Sequence, residues 1–281
     1  MVEADARLTP EQAREIALYP DRWSQYFRTI NGGPFLLHER PYLIEIYRHF
    51  GATQKSRKTK MVVLKCSRKV EKTETICNLL MYGLMNIPYF NAVYTAPRQP
   101  QVTRFVDERF NGALMSSINN GCLMKPRIKT SVSHQTFDIG ARNLNHFYAY
   151  VLPMLIEMLA QSEYKWVVVS GTAREQGSEF WKLWEKSTKG EWDGEKWVHG
   201  ESDIIGYHIS QAMHPDIDPE EIEYKRDTYT PRRFANEVLG EFFAGATKPL
   251  TFDVALQAAD GTLPRNEKGL TPPDESVMGI D

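Results

Sequence analysis

Met61-Val62-Val63-Leu64-Lys65-Cys66-Ser67-Arg68-Lys69-Val70-Glu71-Lys72-Thr73-Glu74-Thr75 is the stretch from which the fold can be read. Four consecutive apolar residues, 61–64, form a short strand of the kind that is buried on both faces. A polar loop follows, then Lys72-Thr73, then a helix from Thr73 to Met85 with Ile76, Leu79, Leu80 and Leu84 inward. A buried strand, a polar loop and a helix opening on Lys-Thr is the layout in which backbone amides and a helix N-terminus wrap phosphate groups. In that layout Lys72 neutralises the β- and γ-phosphates and the Thr73 hydroxyl ligates Mg2+. The strict pattern carries glycines six and one residues before the lysine, and here those positions hold Cys66 and Glu71. On spacing alone, a surface turn is the alternative to a phosphate loop.

The charge around this stretch is uneven. The 281-residue chain has 34 basic and 36 acidic side chains, a net charge of −2. Residues 55–72 nevertheless hold eight basic residues against one acid, Glu71. A local positive field in a mildly acidic protein points to a phosphate-bearing ligand at one place, with a solvated lysine-rich loop as the alternative. Hydrophobic residues at 42% and charged residues at 25% describe an ordinary globular protein. No apolar run approaches the roughly 20 residues of a membrane span, and the N-terminus lacks the basic-then-apolar order of a signal peptide. Three cysteines, 66, 77 and 122, without a CxxC pair argue for a reducing compartment and against a disulfide framework or a zinc-thiolate site.

Outward from the loop, strands and helices alternate. Thr9-Pro10-Glu11-Gln12 is a capping box with proline at the first helical position. Pro20 ends that helix, a second runs from Asp21 towards Arg28, Asn31-Gly32-Gly33-Pro34 is a turn, and Arg40–Phe50 carries a helical stripe. Ala92-Val93-Tyr94 reads as a second strand, and Gln101–Met115 as a helix with Val102, Phe105, Val106, Phe110 and Leu114 on one face. Val151–Ala160 is helical, Trp166–Val169 a buried strand, Ser178–Lys186 an aromatic-rich helix, Asp203–Ile209 a strand and Pro231–Leu239 a helix. The alternation predicts an α/β fold with a mainly parallel sheet flanked by helices. Residues 259–276, with prolines at 264, 272 and 273, read as a linker. His134, His199, His208 and His214 show no metal-ligand spacing and read as structural or solvated, and the tryptophans at 181, 184, 192 and 197 read as core.

The strand followed by Ser67-Arg68 and Lys72-Thr73 resembles the deviant Walker A loop of viral large terminase subunits, the ATP-driven motors that package DNA into procapsids. The resemblance implies a P-loop NTPase of the ASCE type, with ATP and Mg2+ bound at Ser67, Arg68, Lys69, Val70, Glu71, Lys72 and Thr73. It gives Arg68 the role of a phosphate sensor or cis arginine finger. Tyr94–Gln99 is similar to the family's segment after its second strand, and Phe180-Trp181 through Trp192 and Phe234–Phe243 to its closing blocks. Ser170-Gly171-Thr172 resembles the coupling motif that senses the γ-phosphate, although such a triplet at a strand end is an ordinary turn in most proteins. Arg40-Pro41-Tyr42 stands where an adenine-binding motif would be, with Leu43 in place of the usual glutamine; Tyr42 is otherwise a core aromatic. Glu71 is a departure that sets a carboxylate near the phosphates, an electrostatic cost that Lys69 or a metal would have to offset.

The resemblance implies a helical lead-in over 1–50 with adenine-side contacts, an ATPase core over 51–258, the linker 259–276, and in 277–281 the first strand of an RNase H-like nuclease. Asp281 matches a nuclease metal aspartate, and alone it cannot support two-metal cleavage, so nuclease activity is not expected. The implied partners are double-stranded DNA, a portal protein, a small terminase subunit and further copies in a ring on the procapsid, in the host cytoplasm and without a membrane. A motor of this class also needs an apolar strand ending in Asp-Glu, and none occurs between Thr73 and Ser170. Glu157 reads as a mid-helix residue. The passage from Phe137 to Val151 is too abrupt for a strand and its connections, so roughly 25–35 residues are expected to be missing near Tyr150–Val151. Two other readings stay open: a superfamily-2-like helicase or other P-loop ATPase, and a hydrolysis-deficient nucleotide-binding scaffold.

Overall fold

A computed structural model describes residues 8–30, 32–55, 58–88, 90, 92–96, 99–115, 152–160 and 162–244. The linker, the 277–281 segment with Asp281, Cys122, His134 and the Tyr150–Val151 seam lie outside the described residues.

The N-terminal lead-in folds as its turn chemistry dictates. Helix α1 (Pro10–Leu18) starts on the Thr9–Gln12 capping box, with both reciprocal bonds made. Helix α2 (Pro20–Phe27) starts on the next proline. Strands β1 (Thr29–Ile30) and β2 (Gly33–Pro34) pair antiparallel across the expected turn. Helix α3 (Pro41–Arg48) then buries Tyr42, Leu43, Ile46 and Tyr47.

Strand β3 (Lys60–Cys66) is the centre of the sheet and runs into helix α4 (Lys72–Asn86). A helical run follows as α5 (Gln99–Arg104), a π-helical stretch at Phe105–Phe110, and α6 (Asn111–Met115). Next come helix α7 (Leu152–Met158), strand β4 (Trp166–Gly171) and helix α8 (Glu179–Lys186), the last capped by Ser178. Short strands β5 (Thr188–Lys189), β6 (Glu191–Trp192) and β7 (Trp197–Val198) precede β8 (Ile204–Ile209). Helices α9 (Pro219–Thr228) and α10 (Pro231–Phe234) follow, and α10 continues as a π-helical turn at Ala235–Leu239.

The four-stranded sheet has the order β4-β3-β8-β5, and every pairing is parallel. Val62, Leu64 and Cys66 of β3 face one core with α3, Tyr207 and Trp197. Met61 and Val63 face another with Leu152, Val169, Phe180 and Trp184. A strand covered on both faces explains the unbroken apolar run. A third cluster joins Trp23 of α2 to Cys77, Met81 and Tyr82 of α4 and to Phe105.

The α/β expectation holds at this level, a parallel sheet flanked by helices. One strand does not form: Ala92–Ala96 is irregular. Val93 is exposed there, and Tyr94 stacks on Phe105 at 3.7 Å between ring centroids, so its aromatic ring packs on a helical segment and not in a ladder. Helix α9 and the β6–β7 hairpin have weak apolar patterns and were not anticipated. Among the described residues no helix is long and apolar enough to cross a membrane.

Candidate functional site

The carboxyl ends of β3, β4 and β8 lie side by side, and the chain leaves β3 towards neighbours on both sides. In open α/β sheets this is where a ligand crevice forms. The loop of residues 67–71 occupies it. Its base is tied down by backbone: the Ser67 N–H donates to the Ile209 carbonyl at 2.9 Å, and the Arg68 N–H donates to the Glu237 carbonyl at 2.9 Å. Gln211 Nε2 donates to the Arg68 carbonyl at 3.1 Å. Ser67 and Val70 are buried, whereas Lys69 faces solvent.

Two non-glycine residues of the loop hold left-handed backbone, Lys69 at φ 63° and Glu71 at φ 56°. Such a residue costs on the order of 1–3 kcal/mol and persists only where its surroundings enforce it. For Glu71 the enforcement is visible. Arg40 Nε donates to its Oε2 at 2.6 Å, and His214 Nε2 lies 3.4 Å from its Oε1. The Asp216 N–H donates to His214 Nδ1, which leaves the ring proton on Nε2, facing Glu71. Burial pushes the Glu71 carboxyl up, and the bonds from His214 and Arg40 more than reverse this, so it lies below the ordinary carboxylate value. Among the described residues the offset for this carboxylate comes from Arg40 and His214, while Lys69 faces solvent.

Lys72 opens α4. Its Nζ donates across the loop to the Ser67 carbonyl at 3.2 Å and to Thr172 Oγ1 at 2.9 Å. Burial lowers its pKa. Thr172 follows directly on β4, where Ser170 pairs with Leu64 and Gly171 with Lys65. Lys72 and Thr172, 100 residues apart, therefore meet at one point. The Thr73 hydroxyl has no hydrogen-bond partner among the described residues. The first N–H groups of α4 have no intrahelical acceptors, as at any helix start, so this end presents a positive partial charge.

Beside Arg68 and Thr172 opens a cavity of about 310 Å³. Arg174, Arg232 and Arg233 also line it, and Glu237 is its one acidic lining residue. Glu237 pairs with both Arg68 and Arg233, each at 3.3 Å, and Arg232 pairs with Glu175. Arg174 has no carboxylate partner among the described residues. By contrast, much of the basic window is already compensated: Lys55 pairs with Glu163, Lys58 with Asp203 and Lys65 with Glu241. The arginines at the cavity come from three separate segments and outnumber the carboxylates they pair with, Glu237 and Glu175. Sequence reasoning missed Arg174, Arg232, Arg233 and Glu237; the only local signal was the cap at Thr230-Pro231 ahead of Arg232-Arg233.

Tyr42 is 1% exposed and belongs to the core beneath α3, so its ring face is not open to a base. The cluster of Glu71, His214 and Asp216 brings three donor atoms within 4.8 Å of one another. Arg40, however, bonds both carboxylates, at 2.6 and 2.9 Å, and supplies the positive charge a metal would. No family model, no curated protein and no solved structure matches the chain.

Proposed function

We propose that the chain binds a nucleoside triphosphate at residues 67–73 and acts as the ATPase motor domain of a large-terminase-type DNA-packaging enzyme. The observation that carries this reading is the Lys72 ammonium, held between the Ser67 carbonyl and the Thr172 hydroxyl at the carboxyl edge of a parallel sheet. An ammonium at a helix N-terminus, beside a cavity with four guanidiniums, suits a polyphosphate better than any other common ligand. Lys72 would exchange its two oxygen acceptors for phosphate oxygens, and the release of Thr172 would carry the nucleotide state into β4. Arg68 would leave Glu237 to stabilise transferred charge. The Thr73 hydroxyl would hold Mg2+, which when bound neutralises phosphate charge. Double-stranded DNA, a portal protein and a small subunit are the partners this reading implies.

One observation favours a second reading, nucleotide binding without turnover. Glu237, the one acidic lining residue, is already shared by two arginines, which leaves no free base for the attacking water among the residues that line the cavity. Calorimetric titration with Mg·ATP, paired with phosphate-release assays on the wild type and Lys72→Ala, tests both. Binding that the substitution weakens by about 10–100-fold supports the site, and turnover then separates the motor from the scaffold. No binding by the wild type would overturn both readings.

A further inference from the structure

Away from the loop, three side chains remote in sequence converge on one point. Glu45 and His49 stand four residues apart at the end of α3, where the His49 N–H still donates to the Glu45 carbonyl at 3.2 Å. His199 arrives from the segment after β7. Its Nε2 lies 2.6 Å from Glu45 Oε1, and His49 Nε2 lies 3.9 Å from the same oxygen. All three donor atoms lie within 4.8 Å of one another. The Tyr207 hydroxyl of β8 adjoins them, 2.5 Å from His49 Nε2, 2.7 Å from Glu45 Oε1 and 3.4 Å from His199 Nε2.

We infer that Glu45, His49 and His199 form a binding site for a single divalent transition-metal ion, zinc by donor type, beside the Tyr207 hydroxyl. Two imidazoles and one carboxylate are a zinc donor set. Metal–ligand bonds near 2.0–2.1 Å place tetrahedral ligands roughly 3.3 Å apart. The observed 2.6 and 3.9 Å bracket that value, so shifts below about 1 Å bring these pairs to it.

The outer contacts support this. His199 Nδ1 bonds the Gly200 carbonyl at 2.9 Å, which turns Nε2 towards the cluster and fixes the ring. Trp197 Nε1 donates to the Tyr42 carbonyl at 2.8 Å and holds the β6–β7 hairpin against α3 before any ion binds. The three ligand side chains are 19–31% exposed, which leaves a path for an ion from solvent. A hydrogen-bonded cluster of the same residues explains the packing, but an ion uses the same convergence and ties the hairpin to α3. The histidine spacing in the sequence does not reveal this, because His199 lies 154 residues beyond Glu45. None of its residues belongs to the 67–73 loop or lines the arginine cavity.

The test uses the purified full chain, stripped with a chelator and titrated with Co2+, then with Zn2+. The expected result is one Co2+ per chain, with the intense visible absorption of tetrahedral cobalt, displaced by Zn2+. His199→Ala and Glu45→Gln are expected to weaken binding at least ~100-fold. His38→Ala, at an exposed histidine outside the cluster, is expected to leave it unchanged. Circular dichroism checks that each variant is folded. No stoichiometric Co2+ in the wild type would overturn the site whatever the variants do. Binding that survives both cluster substitutions, or that falls equally with His38→Ala, would also overturn it.

Discussion

Glu71 stands where the usual phosphate loop has glycine, and it keeps the glycine-like backbone by being held from outside. Glu71→Ala removes the carboxylate from a nearly buried Arg40, which retains Asp216 and Glu39. The expected cost is about 2 kcal/mol, below the roughly 3–5 kcal/mol of a broken buried pair because two partners remain. Glu71→Gly loses the same bonds but relieves the left-handed strain, so its cost should be smaller by about 1 kcal/mol. Urea midpoints of the two variants compare them directly, and equal midpoints would mean that Glu71 stores no backbone strain. The pH dependence has a definite sign. The folded carboxyl lies below its ordinary value, so its contribution is fully present above about pH 4.3 and fades as pH falls through the lower folded value. The stability gap between the wild type and Glu71→Gln should therefore close in acid and be constant near neutrality.

At the scale of elements, the loop is a joint between β3 and the π-helical turn that ends at Leu239. Gly240 has φ 71°, and a Cβ there would come 2.8 Å from the Ser67 nitrogen. Gly240→Ala would force an L side chain into left-handed backbone and against the base of the loop. A loss of about 2 kcal/mol or more is expected, and nucleotide affinity should fall with it although residue 240 touches no ligand. Unchanged affinity in a folded Gly240→Ala protein would mean that the turn does not position the loop. This joint marks the limit of what sequence could show. Strands β3, β4 and β8, helix α4, the capped start at Thr9 and the aromatic-rich helix α8 were legible because burial on two faces, helical periodicity and capping chemistry leave local patterns. The meeting of Lys72 with Thr172 was not legible, because 100 residues separate the two. The Arg40–Glu71–His214 clamp had no local pattern and the arginine-lined cavity only the cap at Thr230-Pro231, since each draws residues from segments many tens of positions apart. Ala92–Tyr94 misled for the converse reason: a short apolar run cannot say whether a partner strand exists.

Over the whole chain the net charge is −2, and among the described residues four arginines, Arg68, Arg174, Arg232 and Arg233, gather at the carboxyl edge of the sheet. Polyanions should therefore be drawn to one face, and affinity for nucleotide or DNA should fall steeply with salt. A ligand bound there would touch the loop after β3, the start of α4, the segment after β4 and α10, so it would add to the direct contacts that already join them. Any such ligand that binds only the folded chain adds about 2.7 kcal/mol at 100 times its Kd. For a domain of this size that corresponds to a rise of about 5 °C in Tm. Mg·ATP should give that shift in the wild type and little of it in Lys72→Ala. Inorganic triphosphate should give most of it, because the arginine field and the lysine recognise phosphate and the buried Tyr42 offers no platform for a base. Thermal scans with ATP, triphosphate and adenosine separate these contributions. A full shift from adenosine alone would place the recognition in a base pocket and not in the loop.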